Sequence, residues 1–361
     1  MAQIYCTNCH QAYPSEGVPY LCPACGGVYD WDKLPAYQPP TGEPGLPGIW
    51  RYRSLLGLPD EAPVITLGEG NTPLIWDQVD GLALAYKMES LNPTGSYKDR
   101  GSAVLLSQLL LRGVRAAVED SSGNAGASFA AYSARSGIKA RVFVPASASG
   151  PKRKQIEMFG AELVPIPGPR SAAADAVIKE AQAGAVYASH AFLPFGMAGV
   201  ATIAYELLDQ IGAVPDTVVA PVGHGSLLLG IIRGFVALKA AGAIKKLPRF
   251  IGVQSGACAP VWAAYHQSSV MLAEGVTVAE GVRVLHPVRK KALLDALDRQ
   301  VDRIIAIEEE LILPARDQLA LRGIYVEPTS AIVWAALKQI TDVITAPAVL
   351  IMSGSGYKFQ K

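Results

Sequence analysis

A chain of 361 residues, 50% hydrophobic and 17% charged, has ample apolar mass for a buried core, which excludes a disordered or fibrous protein. Its 32 basic and 31 acidic residues give a formal net charge of +1 without a long like-charge run, so charge makes no case for nucleic acid or an anionic membrane, and a small metabolite is the expected partner. The opening MAQIYCTNCH lacks the basic-then-apolar layout of a signal peptide, and the most apolar helical stretch, SLLLGIIRGFVALKAAGAIKK, is cut by Arg233 short of a membrane span. A soluble, cytoplasmic protein is therefore expected.

Four of the five cysteines come first in the chain, as Cys6-x-x-Cys9 and Cys22-x-x-Cys25. Two such pairs a dozen residues apart form two knuckles that present four thiolates to one tetrahedral zinc ion. Pro23 and Gly26-Gly27 supply the tight turn that aims backbone N–H groups at sulfur. A closed four-cysteine site leaves no position for substrate, so its zinc is read as structural; two disulfides or four thiols are the alternative. Cys258 reads as an ordinary small residue. A proline- and glycine-dense run, LPAYQPPTGEPGLPG, then marks a linker. The division expected is a ribbon over 1–34, a linker over 35–50 and a body over 51–361, with a smaller subdomain at about 95–200.

Next comes SLNPTGSYKDRG, followed by SAVLLSQLLLRG, whose spacing predicts a buried helix with Asp99 in its first turn and Gly113 as its stop. Lys98 therefore sits at a helix entrance; read alone, it is a surface lysine in an ion pair with Asp99 or a neighbour. Short apolar runs then alternate with helical patterns. RAAVED, KARVFVP, AELVPI, AVYAS, DTVVAPV, RFIGVQ and AVLIMS are predicted strands, and 126–136, 151–159, 171–183, 197–211, 226–241 and 329–340 predicted helices. This alternation predicts an α/β fold, parallel sheets wrapped by helices, with ligand groups on loops after strand carboxyl ends.

Three such loops have unusual composition. SSGNAG over 121–126 offers hydroxyl groups, backbone donors and an amide at a helix start, though a plain helix cap reads the same way. GHGSL over 223–227 has the glycines and helix entry of a phosphate cradle. No GK[ST] follows it and it is not GxGxxG, which weighs against nucleotide hydrolysis and hydride transfer. SGSG, beginning at Ser353, is a hydroxyl-bearing turn after another strand. Pyridoxal 5'-phosphate (PLP) unites these pieces: a phosphate for GHGSL, an aldehyde for Lys98, a phenolic oxygen for Asn124 and a ring nitrogen for Ser353.

LGEGNTPL, NPTGSYKDRG, SSGNAG, PVGHGSLLLG, EPTSA and SGSGYK, in this order over roughly 64–358, resemble the threonine synthase-like, fold-type II (tryptophan synthase β-like) PLP enzymes, several of which also carry an N-terminal zinc ribbon. The resemblance implies a two-domain fold-type II body and a PLP-dependent lyase acting on an amino acid, expected as a homodimer. By it, Lys98 matches the Schiff-base lysine and general acid/base, and Asn124 the residue bonded to the coenzyme's 3'-oxygen. Gly223, His224, Gly225, Ser226 and Leu227 match the coenzyme-phosphate loop, Ser353 faces the pyridine nitrogen, and Ser121, Ser122 and Gly123 cradle the substrate carboxylate. A neutral hydroxyl at that nitrogen suits elimination and replacement better than transamination. Ser96 and Thr94 are further candidates for an anionic group, and Glu327 either points at the ring or braces a loop.

The chain departs from this pattern at HAFLPFGMAGVAT, 190–202, where threonine synthases carry a run like NSVNPxRLEGQKT. Gly196 stands in the arginine position, and a dianionic phosphate favours bidentate charged donors. Lys152, Arg153, Lys154 and His190 are the cations considered as substitutes. The leading expectation is threonine synthase, turning O-phosphohomoserine into threonine and phosphate. The alternatives are a serine/threonine ammonia-lyase or β-replacement enzyme on an unphosphorylated substrate and, in another class, a non-catalytic zinc-ribbon binding module. A zinc hydrolase finds no support, because His10, His190, His224, His266 and His286 show no HExxH spacing.

Overall fold

A computed structural model describes residues 4–40, 46–147, 150–168, 170–269 and 275–359. Residues 1–3 of the expected ribbon and 41–45 of the expected linker lie outside the described residues. Strand β1 (Ile4–Cys6) pairs antiparallel with β2 (Tyr29–Trp31), setting Cys6 opposite Tyr29. A 3-10 turn over Gly48–Leu55 buries Ile49 and Trp50 and leads to the antiparallel hairpin β3 (Leu74–Val79) and β4 (Leu82–Lys87). The hairpin turns on Asp80 and Gly81, both at positive φ, the two-residue geometry that suits twisted strands.

Helix α1 (Lys98–Leu111) then opens a run of strand–helix units: β5 (Ala116–Glu119), α2 (Asn124–Ser136), β6 (Lys139–Pro145), α3 (Pro151–Met158), β7 (Glu162–Ile166) and α4 (Arg170–Gln182). β5, β6 and β7 form a parallel three-stranded sheet. AVYAS contributes only an isolated bridge from Tyr187 to Val118. Next come α5 (Gly196–Ile211), β8 (Thr217–Pro221), α6 (Ser226–Ala240), β9 (Arg249–Ser255), α7 (Pro260–Tyr265), α8 (Lys290–Ala296), β10 (Arg303–Ile307), α9 (Ile312–Leu321), α10 (Pro328–Ala335) and β11 (Ala348–Ile351). The larger sheet runs β10-β9-β8-β11-β4-β3, parallel except for β3. Every residue of β8 and β11 is buried, as befits unbroken apolar strands covered on both faces. The α/β class is therefore as expected, with β1, β2, β3, β4 and β10 as strands beyond those predicted.

Helices α1, α5 and α6 pack side by side through small residues. A Cβ at Gly199 would lie 2.1 Å from the Arg100 carbonyl oxygen, and one at Gly234 2.5 Å from that of Ala201. Those glycines let the backbones approach closely enough to hold the first turn of α1, and with it Lys98, against α5. Gly199→Ala is expected to destabilise the protein by about 1–3 kcal/mol, because overpacking outweighs the roughly 1 kcal/mol that alanine gains over glycine inside a helix. Urea denaturation reads the difference, and a variant as stable as the parent would mean that the helices separate without cost.

Candidate active site

A cavity of about 860 Å³ opens at the carboxyl ends of β5, β6, β8 and β11. Lys98, Ser121, Ser122, Gly123, Asn124, the run 223–227 and Ser353, all expected from the sequence, line it. Ligand groups gather at such strand ends because helix starts and loop N–H groups converge there.

Lys98 is the first residue of α1, and its Nζ lies 4.8 Å from the centroid of the Tyr97 ring. The preceding loop is fastened to the turn after β11: Tyr97 N donates to Ser353 O at 3.1 Å and Ser355 N to Gly95 O at 2.9 Å. Ser353 and Lys98 are thereby held on one wall. Beneath them Asp99 accepts from Thr94 N and Thr94 Oγ1, both at 2.6 Å, and from Ser128 Oγ at 2.6 Å. Burial pushes the Asp99 carboxyl up to about 6, against the pull of those donors. Thr94 and Ser96 are buried and are not among the residues that line the cavity; Thr94 serves Asp99, and the Ser96 hydroxyl has no hydrogen-bond partner.

Asn124 begins α2, with Gly123 as its cap. Its Nδ2 donates to Glu327 Oε1 at 2.7 Å, while its Oδ1 is buried with no hydrogen-bond partner. Glu327, 1% exposed, also holds Lys152 at 2.8 Å through Oε2, so it lies on the cavity wall rather than bracing a remote loop. Burial alone would depress the Lys152 amine, but the Glu327 carboxylate outweighs it and raises the amine above the ordinary lysine value. Ser353 Oγ lies 3.0 Å from Ser330 Oγ, a neutral hydroxyl pair.

The glycine loop ends at the start of α6, where Gly225 at φ +96° caps the helix. A Cβ at Gly223 would lie 2.7 Å from Gly281 O, so a side chain there would close the loop against its neighbour. Ser226 Oγ is buried without a hydrogen-bond partner at the first turn of this 15-residue helix. Unpaired N–H groups, a positive helix end and a spare hydroxyl together form a receptor for a phosphate.

Two further groups on the wall, His190 and Lys358, are placed by tertiary structure. His190 Nδ1 lies 3.0 Å from the buried Glu119 Oε1, and the His190 ring meets His224 edge-on at 5.7 Å. Lys358 donates to Thr94 O at 2.6 Å, and burial lowers its amine to about 8. Of the cations considered for a substrate phosphate, Lys152 and His190 line the cavity, whereas Arg153 and Lys154 do not. Gly196 faces the backbone of α1: a Cβ there would lie 3.0 Å from Gly101 O, so the helix crossing occupies that place.

At the other end of the chain the four cysteine sulfurs lie within 4.8 Å of one another, with Cys6 and Cys25 Sγ 3.4 Å apart and Cys9 and Cys22 Sγ 3.7 Å apart. None of the cysteines forms a disulfide. A Cβ at Gly27 would come within 2.6 Å of Cys6 Sγ, so the knuckle requires glycine there.

Comparison with known proteins agrees with this architecture. The threonine synthase of Methanocaldococcus jannaschii is 33% identical over 93% of this chain and 87% of its own, and that of Mycobacterium tuberculosis 34% identical over 89% and 91%. Among solved structures, a threonine deaminase from T.th. superposes with a TM-score of 0.69 at 28% identity, covering 80% of this chain and 94% of that one. Maize serine racemase gives the same TM-score at 22% identity over 79% and 88%, a likeness of fold. The family model described as pyridoxal-phosphate dependent enzyme matches residues 65–354, the span that holds every wall of the cavity except the last turn at Lys358 and Phe359, and the chain belongs to that family.

Proposed function

We propose that this protein is a threonine synthase that converts O-phosphohomoserine to threonine and phosphate. The observation that carries the reading is the one-third identity to threonine synthases along nearly the whole chain. The residues present fit PLP: Ser226 Oγ is buried and unpartnered at a helix start, and Gly223 and Gly225, which have no Cβ, let the loop backbone wrap a phosphate. Lys98, Asn124 and Ser353 line the same cavity, as covalent attachment at the aldehyde, a partner at the 3'-oxygen and a neutral group at the ring nitrogen require.

Bound PLP supplies an electron sink for a carbanion next to the substrate nitrogen. The protein's part is binding, orientation and proton transfer. Ser121, Ser122 and Gly123 cradle the substrate carboxylate at the start of α2: the Ser122 N–H and the Ser121 hydroxyl donate to it, and the Gly123 N–H, which donates to Ser121 Oγ at 3.2 Å, orients that hydroxyl. The Lys98 amine would take the α-proton and then one β-proton, so that phosphate leaves the γ-carbon; it would return protons to the γ- and α-carbons, while water adds at the β-carbon and gives up its second proton to the departing phosphate. Lys152, paired with Glu327 on the cavity wall, would receive the departing phosphate, with His190 as a second group on the same cavity. Titrating the PLP-bound protein with O-phospho-L-homoserine, L-threonine and L-serine tests this reading. Threonine as product from the phosphorylated substrate alone upholds it; a keto acid from L-threonine or L-serine makes the protein an ammonia-lyase.

The reading extends to the whole molecule. The cysteines hold a structural zinc, since four thiolates at these separations match a tetrahedral Zn–S set of about 2.3 Å bonds. The chain divides into a ribbon over 1–34, a linker over 35–50 and a body over 51–361 with a smaller subdomain at about 95–200, and it works as a cytoplasmic homodimer. No helix among the described residues is long and apolar enough to cross a membrane. Metal analysis is expected to find about one zinc per chain, and its removal by a chelator under reducing conditions to lower the melting temperature. Unchanged melting after complete removal would overturn a structural role for the metal.

A further inference from the structure

The strongest unassigned feature is a buried arginine between the ribbon and the phosphate loop. Arg289 is 2% exposed and precedes α8. Its backbone N–H donates to His224 O at 3.1 Å, and a Cβ on Gly225 would lie 3.3 Å from Arg289 Cβ. Its guanidinium donates to Tyr29 O at 2.9 Å and lies 3.3 Å from Asp30 Oδ2, both on β2. The same fork donates to Ala191 O at 3.1 Å and Phe192 O at 2.8 Å, the two residues after His190. One side chain thus ties the ribbon to the two loops that flank Lys98. Arg289, Ser226 and Lys98 also line one small void of about 30 Å³ behind the main cavity.

A second contact runs parallel to the first. Arg233, on the helix that the glycine loop opens, grips Asp30 with two bonds of 2.7 and 2.9 Å. Asp30 is 6% exposed and therefore exchanges little with water. On the ribbon side Tyr29 sits against Cys6 and Cys22 in one apolar cluster, so the strand that carries Tyr29 and Asp30 is fixed by the knuckles. Trp31 Nε1 adds a bond to Pro194 O at 2.9 Å. Apart from the partly exposed Arg233, these groups are buried, and every contact is charge-assisted or backbone-directed, the class that holds geometry rather than merely filling space.

We propose that Arg289 is a positioning residue through which the cysteine ribbon sets the shape of the phosphate loop, making the ribbon part of the coenzyme-binding machinery. The inference rests on the reading of residues 223–227 as the coenzyme-phosphate cradle and of the cysteines as a metal site. Removing the fork would free the His224–Gly225 turn and the segment after His190 together, and the phosphate would meet donors no longer held in place.

The test needs no turnover. Apoprotein is titrated with PLP, the dissociation constant read from visible absorbance, and the bound phosphate followed by its 31P resonance, in parent protein, Asp30→Asn, Arg233→Gln, Arg289→Gln and Arg289→Lys, with zinc content measured for each. Asp30→Asn and Arg289→Gln are expected to weaken PLP by at least about tenfold, as loss of a charged hydrogen bond does, and to move the 31P signal with zinc retained. Arg289→Lys, which keeps the charge but not the fork, is expected to fall between. Arg141→Gln, which breaks a surface pair with Glu180, is the control for general destabilisation. Affinity within twofold of the parent and an unmoved resonance in the zinc-retaining variants would overturn the proposal, as would an equal loss in the control at matched melting temperature. If Arg289→Gln does not fold, Asp30→Asn on the ribbon and Arg233→Gln on α6 decide. A parent protein without zinc removes the metal reading alone, and one that does not bind PLP removes the cradle reading; only the variants bear on the coupling.

Discussion

Lys98→Ala is expected to lower turnover by at least about 10³-fold while leaving the fold intact, since it removes both the attachment point and the proton carrier. The amine lies over the Tyr97 ring, and the helix it opens is held by Asp99, Thr94 and Ser128, so stability should stay within about 0.5 kcal/mol of the parent. Borohydride treatment followed by mass spectrometry supplies a readout apart from rate: the coenzyme mass should be fixed onto residue 98 of the parent and absent from the variant. Lys358 is a second buried amine on this wall, and its value near 8 makes it the group to remove next if the variant retains activity. Turnover within tenfold of the parent would displace Lys98 from the centre of the mechanism.

The second large effect concerns stability and lies two residues along the same helix. Arg100 is fully buried and bonds Glu89 at 2.7 Å through Nε, Glu206 at 2.7 and 2.8 Å through its terminal nitrogens, and Thr202 at 2.9 Å. Lys87 meets Glu206 at 2.7 Å from the other side. Arg100→Met would leave two buried carboxylates with a single lysine and is expected to cost about 3–5 kcal/mol, the loss seen when one partner of a buried pair is removed. A guanidinium chloride midpoint measures it, and a cost below about 1 kcal/mol would mean that water reaches the cluster.

The same cluster sets an acid limit. Burial alone would raise the Glu206 carboxyl, but Arg100 and Lys87 outweigh it and hold it well below its ordinary 4.5. A carboxyl depressed in the folded state contributes stability that is complete above the unfolded value and is lost as pH falls below it. Glu206→Gln should therefore flatten the fall of stability on the acid side of about pH 4.5, an outcome that acid titration of the melting temperature reads directly. Asp99 acts in the opposite sense. Its carboxyl, raised to about 6 by burial, makes the fold less stable as pH climbs from 3.8 toward 6 and changes little above that.

Composition alone makes certain parts of this molecule legible. SSGN, GHGSL and SGSG declare themselves because glycine and hydroxyl residues clustered at strand ends have few other uses, and the structure brings all three loops to one cavity with Lys98. The cysteine pairs are legible through spacing. The β3–β4 hairpin escapes, although Asp80-Gly81 between apolar runs is a turn signal, because the strand–helix alternation that dominates the rest of the chain favours longer connections. AVYAS reads as a strand on its β-branched and aromatic content, but only Tyr187 pairs, bridging Val118 at the open edge of β5. Arg289, Glu119 and the Lys87–Arg100–Glu206 cluster are invisible for a different reason. Their partners lie up to hundreds of residues away, and a lone charge in sequence carries no sign of whether it will be buried.

The order of the larger sheet also governs how this protein is made. β11 lies between β4 and β8, and pairs with both, yet it leaves the ribosome long after either. Until Ala348–Ile351 emerges, two apolar strands wait with open edges, and neither Ser353 nor the turn that clamps Gly95 and Tyr97 exists to close the cavity. The nascent chain can form the β5–β6–β7 sheet from local units, because those strands follow one another directly. Its catalytic half assembles only at the end, so a truncated translation product keeps the lysine and the glycine loop but exposes a sticky, half-built sheet.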